Sequence, residues 1–141
     1  MTIVVDASVA AKWLFEETDS VKAKALLDDI EEGRLKSIAP EILPAEIANS
    51  LSKRVFRGVL EPLEAEIQYG RFQRSCPALI SNGFLAGAAL QLALRHGHSV
   101  YDCLYVALAL ETPCPLVTAD EGLFRAFSPV FPEVRLLRDW A

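Results

Sequence analysis

Short apolar runs of strand length alternate along this chain with longer runs whose apolar positions repeat at helical spacing. TIVVD (residues 2–6) is a β-branched run of strand length, and LKSIAP (35–40) is a second one. DSVKAKALLDDIEEG (19–33) has the periodicity of an amphipathic helix that ends at a glycine, and LPAEIANSLSKRVFRG (43–58) follows the same pattern. The alternation of the two periods predicts strands separated by helices.

The whole chain gives four predicted strands and seven predicted helices. The strands are 2–6, 35–40, 115–120 and 133–137, and the helices are 7–15, 19–33, 43–58, 61–74, 84–97, 99–110 and 120–127. The helices at 84–97 and 99–110 are apolar on most of their faces, so both are predicted to be central. Strands that alternate with helices predict an α/β sandwich around a mostly parallel sheet. We expect one domain over 1–141, because a chain of this length suits a single core.

Two acids stand at the carboxyl ends of predicted strands, which is where sheets of this kind form their ligand sites. Asp6 closes the first strand, and it equally fits the N-cap of the helix that follows. Asp120 closes the third strand. Thr118 and Glu121 have the spacing of a T-x-x-E capping box, which would leave Asp120 free for another role.

Two further acids lie near predicted helix starts in apolar surroundings. Asp102 is the one acid in SVYDCLYVALAL (99–110), where an unpaired buried charge would be costly. Ser99 and Asp102 have capping-box spacing, so capping alone would explain Asp102. Glu46 lies in the first turns of helix 43–58, and a solvated glutamate near a helix N-terminus would explain it when it is taken alone.

The four acids together point to a cation. If they meet, like charges raise each other's pKa and oppose folding unless something positive lies between them. Mg²⁺ or Mn²⁺ suits such a site, because it takes oxygen ligands and few carboxylates. No cysteine pair or histidine cluster offers another metal site, and His96 and His98, on either side of Gly97 in a predicted turn, are expected to be solvated.

Charge and hydropathy qualify this picture. The formal net charge is −5, which argues mildly against a protein that depends on non-specific phosphate contacts. The basic runs KRVFR (53–57) and YGRFQR (69–74) are nevertheless compatible with a local basic surface. A mean hydropathy of +0.25 favours apolar surface that is hidden in a dimer or beneath a partner.

The chain carries features of a cytoplasmic protein. Its three cysteines, Cys76, Cys103 and Cys114, form no CxxC pair and fit a reducing compartment. The N-terminus has no basic region ahead of its apolar run, so no secretory signal is predicted. The longest apolar run, CLYVALAL, is too short to span a bilayer, and no membrane association is expected.

The segments that carry the four acids resemble those of the PIN-domain ribonucleases. They are IVVDASV (Asp6), LPAEIANSL (Glu46), SVYDCLYVALA (Asp102) and LVTADEGL (Asp120). Within that superfamily the chain is most similar to the compact VapC-type toxins of bacterial and archaeal toxin–antitoxin pairs. The resemblance covers essentially the whole chain, since the order and context of all four acids match. Cys103 departs from the pattern, standing where the family often has alanine, and leaves the acid motif intact.

This resemblance implies a three-layer α/β/α sandwich, dependence on Mg²⁺ or Mn²⁺, and cleavage of RNA by metal-activated water. It also implies a homodimer and inhibition by a small antitoxin whose tail lies over the active site. Asp6, Asp102 and Asp120 would be metal ligands, and Glu46 would bind a second metal ion or orient water. The polar positions that assist the metal's water shell would be Ser8 and Thr118.

Other functions fit less well. A phosphatase of the haloacid-dehalogenase type needs a second acid two residues after Asp6, where Ser8 stands, and no GK[ST] motif marks a P-loop. A housekeeping RNA-processing nuclease and a non-catalytic PIN-fold binding module remain alternatives. The short chain favours the toxin, and the presence of all four acids favours an enzyme. Arg54 and Arg57 are candidates for holding RNA, although a solvated helix face explains them equally well.

Overall fold

The computed structural model describes residues 1–141, which form a five-stranded sheet covered by helices. The strands are β1 (Thr2–Val5), β2 (Lys36–Pro40), β3 (Ala78–Ile80), β4 (Leu116–Thr118) and β5 (Val134–Leu136). They lie in the order β3-β2-β1-β4-β5, and every neighbouring pair is parallel. The predicted mostly parallel sheet is therefore confirmed, and it is parallel throughout.

Seven α-helices and one 3₁₀ turn connect and follow the strands. The helices are α1 (Ala7–Ala11), α2 (Ser20–Glu31), α3 (Leu43–Phe56), α4 (Pro62–Arg74), α5 (Asn82–His96), α6 (Val100–Glu111) and α7 (Glu121–Phe127), and the 3₁₀ turn is Leu137–Asp139. Helices cover both faces of the sheet, which confirms the three-layer α/β/α sandwich. None of these helices combines the length and the apolar character needed to cross a membrane.

Helix α6 is the central helix, as predicted. It packs against β1, β2 and β4, and every residue of Cys103–Ala109 is buried. Ile3, Val4 and Val5 of β1 are also fully buried, because β1 is the middle strand of a sheet with helices on both faces. The helix that carries Asp102 in its first turn therefore lies in the core of the molecule.

The direction of the chain through the sheet reverses between β1 and β4. From β1 the chain moves outward to β2 and β3, and then it crosses back to β4 and β5 on the other side of β1. Val5 pairs with Val117, so the two strands end close to the same level. In open α/β sheets a crevice forms at the carboxyl ends of the two strands where the order reverses. A ligand site is therefore expected where β1 and β4 end.

Two elements differ from the sequence prediction. Residues 78–80 form the edge strand β3, which was not predicted, because three mostly exposed residues show neither alternation nor a long apolar run. Helix α1 ends at Ala11 instead of residue 15. The backbone N–H groups of the next three residues bond to carbonyls three positions back, and this tighter turn buries Trp13 and Leu14.

Helix α5 is not central, contrary to the prediction from its apolar composition. It packs on α6 and buries one face, formed by Leu85, Ala89 and Leu92. Because α6 already occupies the sheet, the opposite face of α5 has nothing to cover it. Its exposed apolar residues, which we call the α5 stripe, are Phe84, Leu90 and Leu94.

Candidate active site

The fold brings Asp6 and Asp120 to the crevice at the ends of β1 and β4. Asp6 follows β1 directly, and Asp120 follows β4 after one intervening residue. Asp102 lies in the first turn of α6, the helix that packs on both strands, and Glu46 lies in the first turn of α3. Four acids that are distant in sequence therefore approach one edge of the sheet.

The carboxylate of Asp6 is buried and held by two hydroxyl groups. Its Oδ2 accepts hydrogen bonds from Ser8 Oγ at 2.5 Å and from Thr118 Oγ1 at 2.8 Å, and the residue is only 5% exposed. Asp6 occupies the N-cap position of α1, yet its side chain makes no capping hydrogen bond. Capping therefore does not explain this acid.

The electrostatics of Asp6 show that the aspartates are neighbours. Burial raises the pKa of Asp6, the hydrogen bonds from Ser8 and Thr118 oppose that rise, and the charges of Asp102 and Asp120 add to it. Three carboxylates thus share one electrostatic environment in which ionisation of the buried member is disfavoured.

Asp120 caps α7, which corrects the predicted capping box. Its Oδ1 accepts a hydrogen bond from the backbone N–H of Leu123 at 3.1 Å. Thr118 cannot be the N-cap, because it is still in β4 and its hydroxyl donates to Asp6 while accepting from the backbone N–H of Asp120. Glu121 instead forms ion pairs with Arg125 and Arg138. Asp120 therefore combines a capping role with its place beside Asp6.

Asp102 makes two contacts at the start of α6. Its backbone N–H donates to Ser99 Oγ at 3.1 Å, so the predicted N-cap at Ser99 is confirmed. Its side chain does not close the capping box. Instead Oδ2 lies 3.0 Å from His98 Nε2, and 34% of the carboxylate side chain is exposed. This acid faces the crevice edge with one histidine beside it.

The two histidines are less exposed than the solvated side chains that the sequence predicts. Both are partly buried, and their rings pack against Phe127 of α7 with centroid distances of 4.9 Å for His96 and 5.7 Å for His98. A turn was predicted correctly at Gly97, but no local pattern indicated that α7 would fold onto it. His98 is therefore a neighbour of the acids that sequence reasoning missed.

Glu46 is held by a second residue that sequence reasoning missed. Tyr105, which is fully buried, donates a hydrogen bond from its hydroxyl to Glu46 Oε1 at 2.6 Å. Burial raises the pKa of Glu46, the Tyr105 hydrogen bond opposes this, and the charges of Asp6 and Asp102 raise it further. Tyr105 lies one turn after Asp102 on α6, and that spacing is the signal that could have found it.

The donor atoms suit a hard cation, although they do not form a complete cage. No group of three or more histidine, cysteine, aspartate or glutamate side chains is arranged to hold a metal ion by itself. Oδ1 of Asp6 and Oδ2 of Asp120 accept no hydrogen bond from the protein, so both oxygens are available. Mg²⁺ keeps several water ligands and needs only one or two carboxylates. The chemistry of the donor set therefore fits such an ion.

Sequence comparison connects this arrangement to a known family. Residues 3–128 match the sequence model of the PIN domain family. Ribonuclease VapC3 of Pyrobaculum aerophilum is 33% identical, over 90% of this chain and 95% of the relative. Ribonuclease VapC1 of Mycobacterium tuberculosis is 34% identical, over 96% of this chain and 97% of the relative.

Two solved structures share the fold. The crystal structure of PAE2754 from Pyrobaculum aerophilum has a TM-score of 0.73 at 19% identity and covers 98% of this chain and 93% of its own. VapBC2 from Rickettsia felis, bound to a DNA fragment from the VapBC2 promoter, has a TM-score of 0.63 at 16% identity and covers 96% and 97%. With the family match over residues 3–128 and the two similar VapC ribonucleases, these findings show that the chain belongs to the PIN domain family.

Proposed function

We propose that this protein is a Mg²⁺-dependent endoribonuclease that acts as the toxin of a type II toxin–antitoxin pair. The observation that carries the proposal is the approach of Asp6, Asp102, Asp120 and Glu46 to the β1/β4 crevice. If each acid only capped its own helix, the charges of the four would not affect one another's pKa values as they do here. The VapC ribonucleases to which the chain is similar supply the class of reaction.

Asp6, Asp102 and Asp120 would hold Mg²⁺, and Mn²⁺ would be able to replace it. When bound, the cation supplies a more acidic water and positive charge that stabilises the transition state of phosphodiester hydrolysis. Ser8 and Thr118 fix Oδ2 of Asp6 and leave Oδ1 for the ion or its water shell. Glu46, held by Tyr105, would orient a water molecule or accept its proton.

The partners in this proposal are RNA, a small antitoxin and a second copy of the chain. An apolar groove of about 440 Å³ between α3 and α4 offers a place for an antitoxin helix, and Phe56 and Leu63 are exposed at or beside it. The α5 stripe offers apolar surface for a homodimer. Exposed patches of this kind agree with the high mean hydropathy of the chain.

RNA cleavage by purified variants tests the function. Asp6→Asn and Asp102→Asn should each lower Mg²⁺-dependent cleavage at least roughly a hundredfold, because stabilisation by a metal ion is worth several kcal/mol. Asp28→Asn is the matched control, since Asp28 is exposed on α2 and forms no ion pair. EDTA should abolish cleavage by the parent, and the two active-site variants should no longer inhibit growth.

Three outcomes would contradict the proposal. Cleavage by Asp6→Asn at the parental rate would contradict the assignment of Asp6 to the active site. Absence of any cleavage by the parent with either Mg²⁺ or Mn²⁺ would favour the non-catalytic binding module. Cleavage without growth inhibition would favour a housekeeping RNA-processing nuclease.

A further inference from the structure

An open groove runs along α3 away from the four acids. Its volume is about 660 Å³, and it is bordered by Ala7, Ser8 and Ala11 on one side and by α3 on the other. Ser8 donates a hydrogen bond to Asp6, and Glu46 lines the groove from α3. The groove therefore opens directly into the candidate active site.

Lys53 and Arg57 supply unneutralised positive charge in this groove. Lys53 lies on α3 about two helical turns after Glu46, and Arg57, the C-cap residue of α3, lies about three turns after it, so all three lie on one face. Both cations are exposed, and neither forms an ion pair. They are free to bind an anionic ligand without breaking a contact of the fold.

Arg54 borders the same groove but is already occupied. Its Nη2 lies 3.3 Å from Glu17 Oε2, and its Cζ lies 3.8 Å from the centroid of the Phe15 ring. These contacts tie α3 to the turn that follows α1. Of the two arginines singled out in the sequence, only Arg57 is available to a ligand.

The placement of the charges favours a polyanion over a small anion. Helical rise puts Lys53 about 10 Å from Glu46 along the axis and Arg57 about 6 Å beyond Lys53. A chain of phosphates meets both cations while one of its phosphates lies at the acids, whereas a mononucleotide at the acids is too short to meet both. α1 and α3, which border the groove, also pack against each other.

We propose that this groove holds the phosphate backbone of single-stranded RNA on one side of the cleaved bond, through Lys53 and Arg57. Asn49 and Ser50, between them and Glu46, add neutral hydrogen-bonding groups. No aromatic side chain lines the groove, so base stacking adds nothing there. The contacts set affinity and orientation and leave sequence preference to other residues. This inference rests on the proposed nuclease function.

Salt-dependent RNA binding tests the groove. A labelled single-stranded 20-nucleotide RNA of mixed sequence is titrated in EDTA with the Asp6→Asn protein, which removes cleavage from the measurement. Adding Lys53→Ala and Arg57→Ala should weaken binding roughly tenfold at about 0.1 M salt. The same change should reduce the slope of log K against log salt by about 1.4, because each lost phosphate contact on a single strand contributes about 0.7.

The control removes the same charge from the opposite edge of the sheet. Lys36 begins β2 and Arg74 ends α4, both are exposed, and neither forms an ion pair. Lys36→Ala with Arg74→Ala should leave the slope unchanged. Thermal melting checks that both double variants are folded.

Equal slopes for the groove variant and the control variant would overturn the groove assignment, and RNA cleavage by the parent would still stand as a separate result. The groove assignment would also be overturned if the groove variant bound RNA as the parent does but no longer bound an acidic peptide. That result would assign the groove to a protein partner. A parent that neither cleaves nor binds RNA would overturn the groove and the proposed function together.

Discussion

Tyr105 makes a short hydrogen bond to Glu46, a candidate catalytic side chain. A fully buried phenol hydroxyl needs a partner, and the partly buried carboxylate of Glu46 needs a donor, so the 2.6 Å hydrogen bond satisfies both groups. Burial raises the pKa of Glu46, and this hydrogen bond counteracts the rise. Burial, followed by the charge of Glu46, raises the pKa of Tyr105, which therefore remains a donor at any pH of interest. We therefore propose that Tyr105 positions Glu46.

Replacing Tyr105 by phenylalanine isolates this contact. Tyr105→Phe should lower RNA cleavage roughly ten- to a hundredfold, the range found when residues that orient a metal site are changed. It should also raise the pKa of Glu46, because the hydrogen bond that favours the carboxylate is lost. The pKa is measured by NMR titration of the Glu46 carboxyl carbon. Tyr101→Phe is the control, since Tyr101 is exposed one turn earlier on α6; an unchanged Glu46 titration in Tyr105→Phe would refute the positioning role.

At the scale of elements, the start of α7 combines a structural and a chemical use of one carboxylate. Oδ1 of Asp120 satisfies the backbone N–H of Leu123, while the charge of Asp120 contributes to the raised pKa of Asp6. A neutral acceptor would serve the helix as well as a carboxylate does. Capping therefore does not account for the negative charge of Asp120, whereas binding of a cation would.

Two substitutions separate these uses. Asp120→Asn keeps the cap and removes the charge, so its stability in EDTA should equal or exceed that of the parent. Asp120→Ala removes both, and the lost cap should cost about 1 kcal/mol of unfolding free energy. Both variants should lose cleavage activity. Urea unfolding checks the stabilities, and an Asp120→Asn protein with full activity would show that Asp120 is only a cap.

The sequence predicted the elements that repeat a pattern and missed those defined by contacts. The β-branched run ending at Asp6 and the run ending at Asp120 were enough to predict two strands whose carboxyl ends share an edge. The edge strand β3 has no pattern of its own and exists because β2 pairs with it. The apolar surface of α5 predicted burial, but the position on the sheet is taken by α6.

The same distinction holds in the site. Sequence analysis identified the four acids as candidates, and the fold brings them together. Their metal-binding and catalytic roles are proposals. His98 and Tyr105 were missed as site residues because their importance lies in partners that only the tertiary structure reveals. The predicted capping box failed because Thr118 was needed in β4 and by Asp6, a competition that local spacing does not record.

At the scale of the whole molecule, the site opposes the stability of the metal-free protein. Burial, with added repulsion from neighbouring carboxylates, raises the folded-state pKa of Asp6 above its ordinary value of 3.8 and that of Glu46 above 4.5. The folded state therefore binds more protons than the unfolded state once pH exceeds these values. Stability that is present at lower pH is lost as pH rises through the folded-state pKa values.

Thermal melting with and without metal tests this balance. In EDTA, Asp6→Asn should melt at the same temperature as the parent or slightly higher, and the difference should grow from about pH 4 to about pH 7. Mg²⁺ should stabilise the parent by about 2.7 kcal/mol at one hundred times its Kd and should have much less effect on Asp6→Asn. A parent that melts above Asp6→Asn in EDTA, by a margin that grows from about pH 4 to about pH 7, would contradict this view of the carboxylates.

The pairing of β1 with β4 also has a consequence for biosynthesis. Val4 and Leu116 lie side by side in the sheet although 111 residues separate them along the chain, and Asp120 follows later still. A nascent or truncated polypeptide that stops before β4 holds three of the four acids but has no crevice in which to gather them. Assembly of the centre therefore waits until β4 has been synthesised, so that shorter nascent chains of the proposed nuclease would be inert.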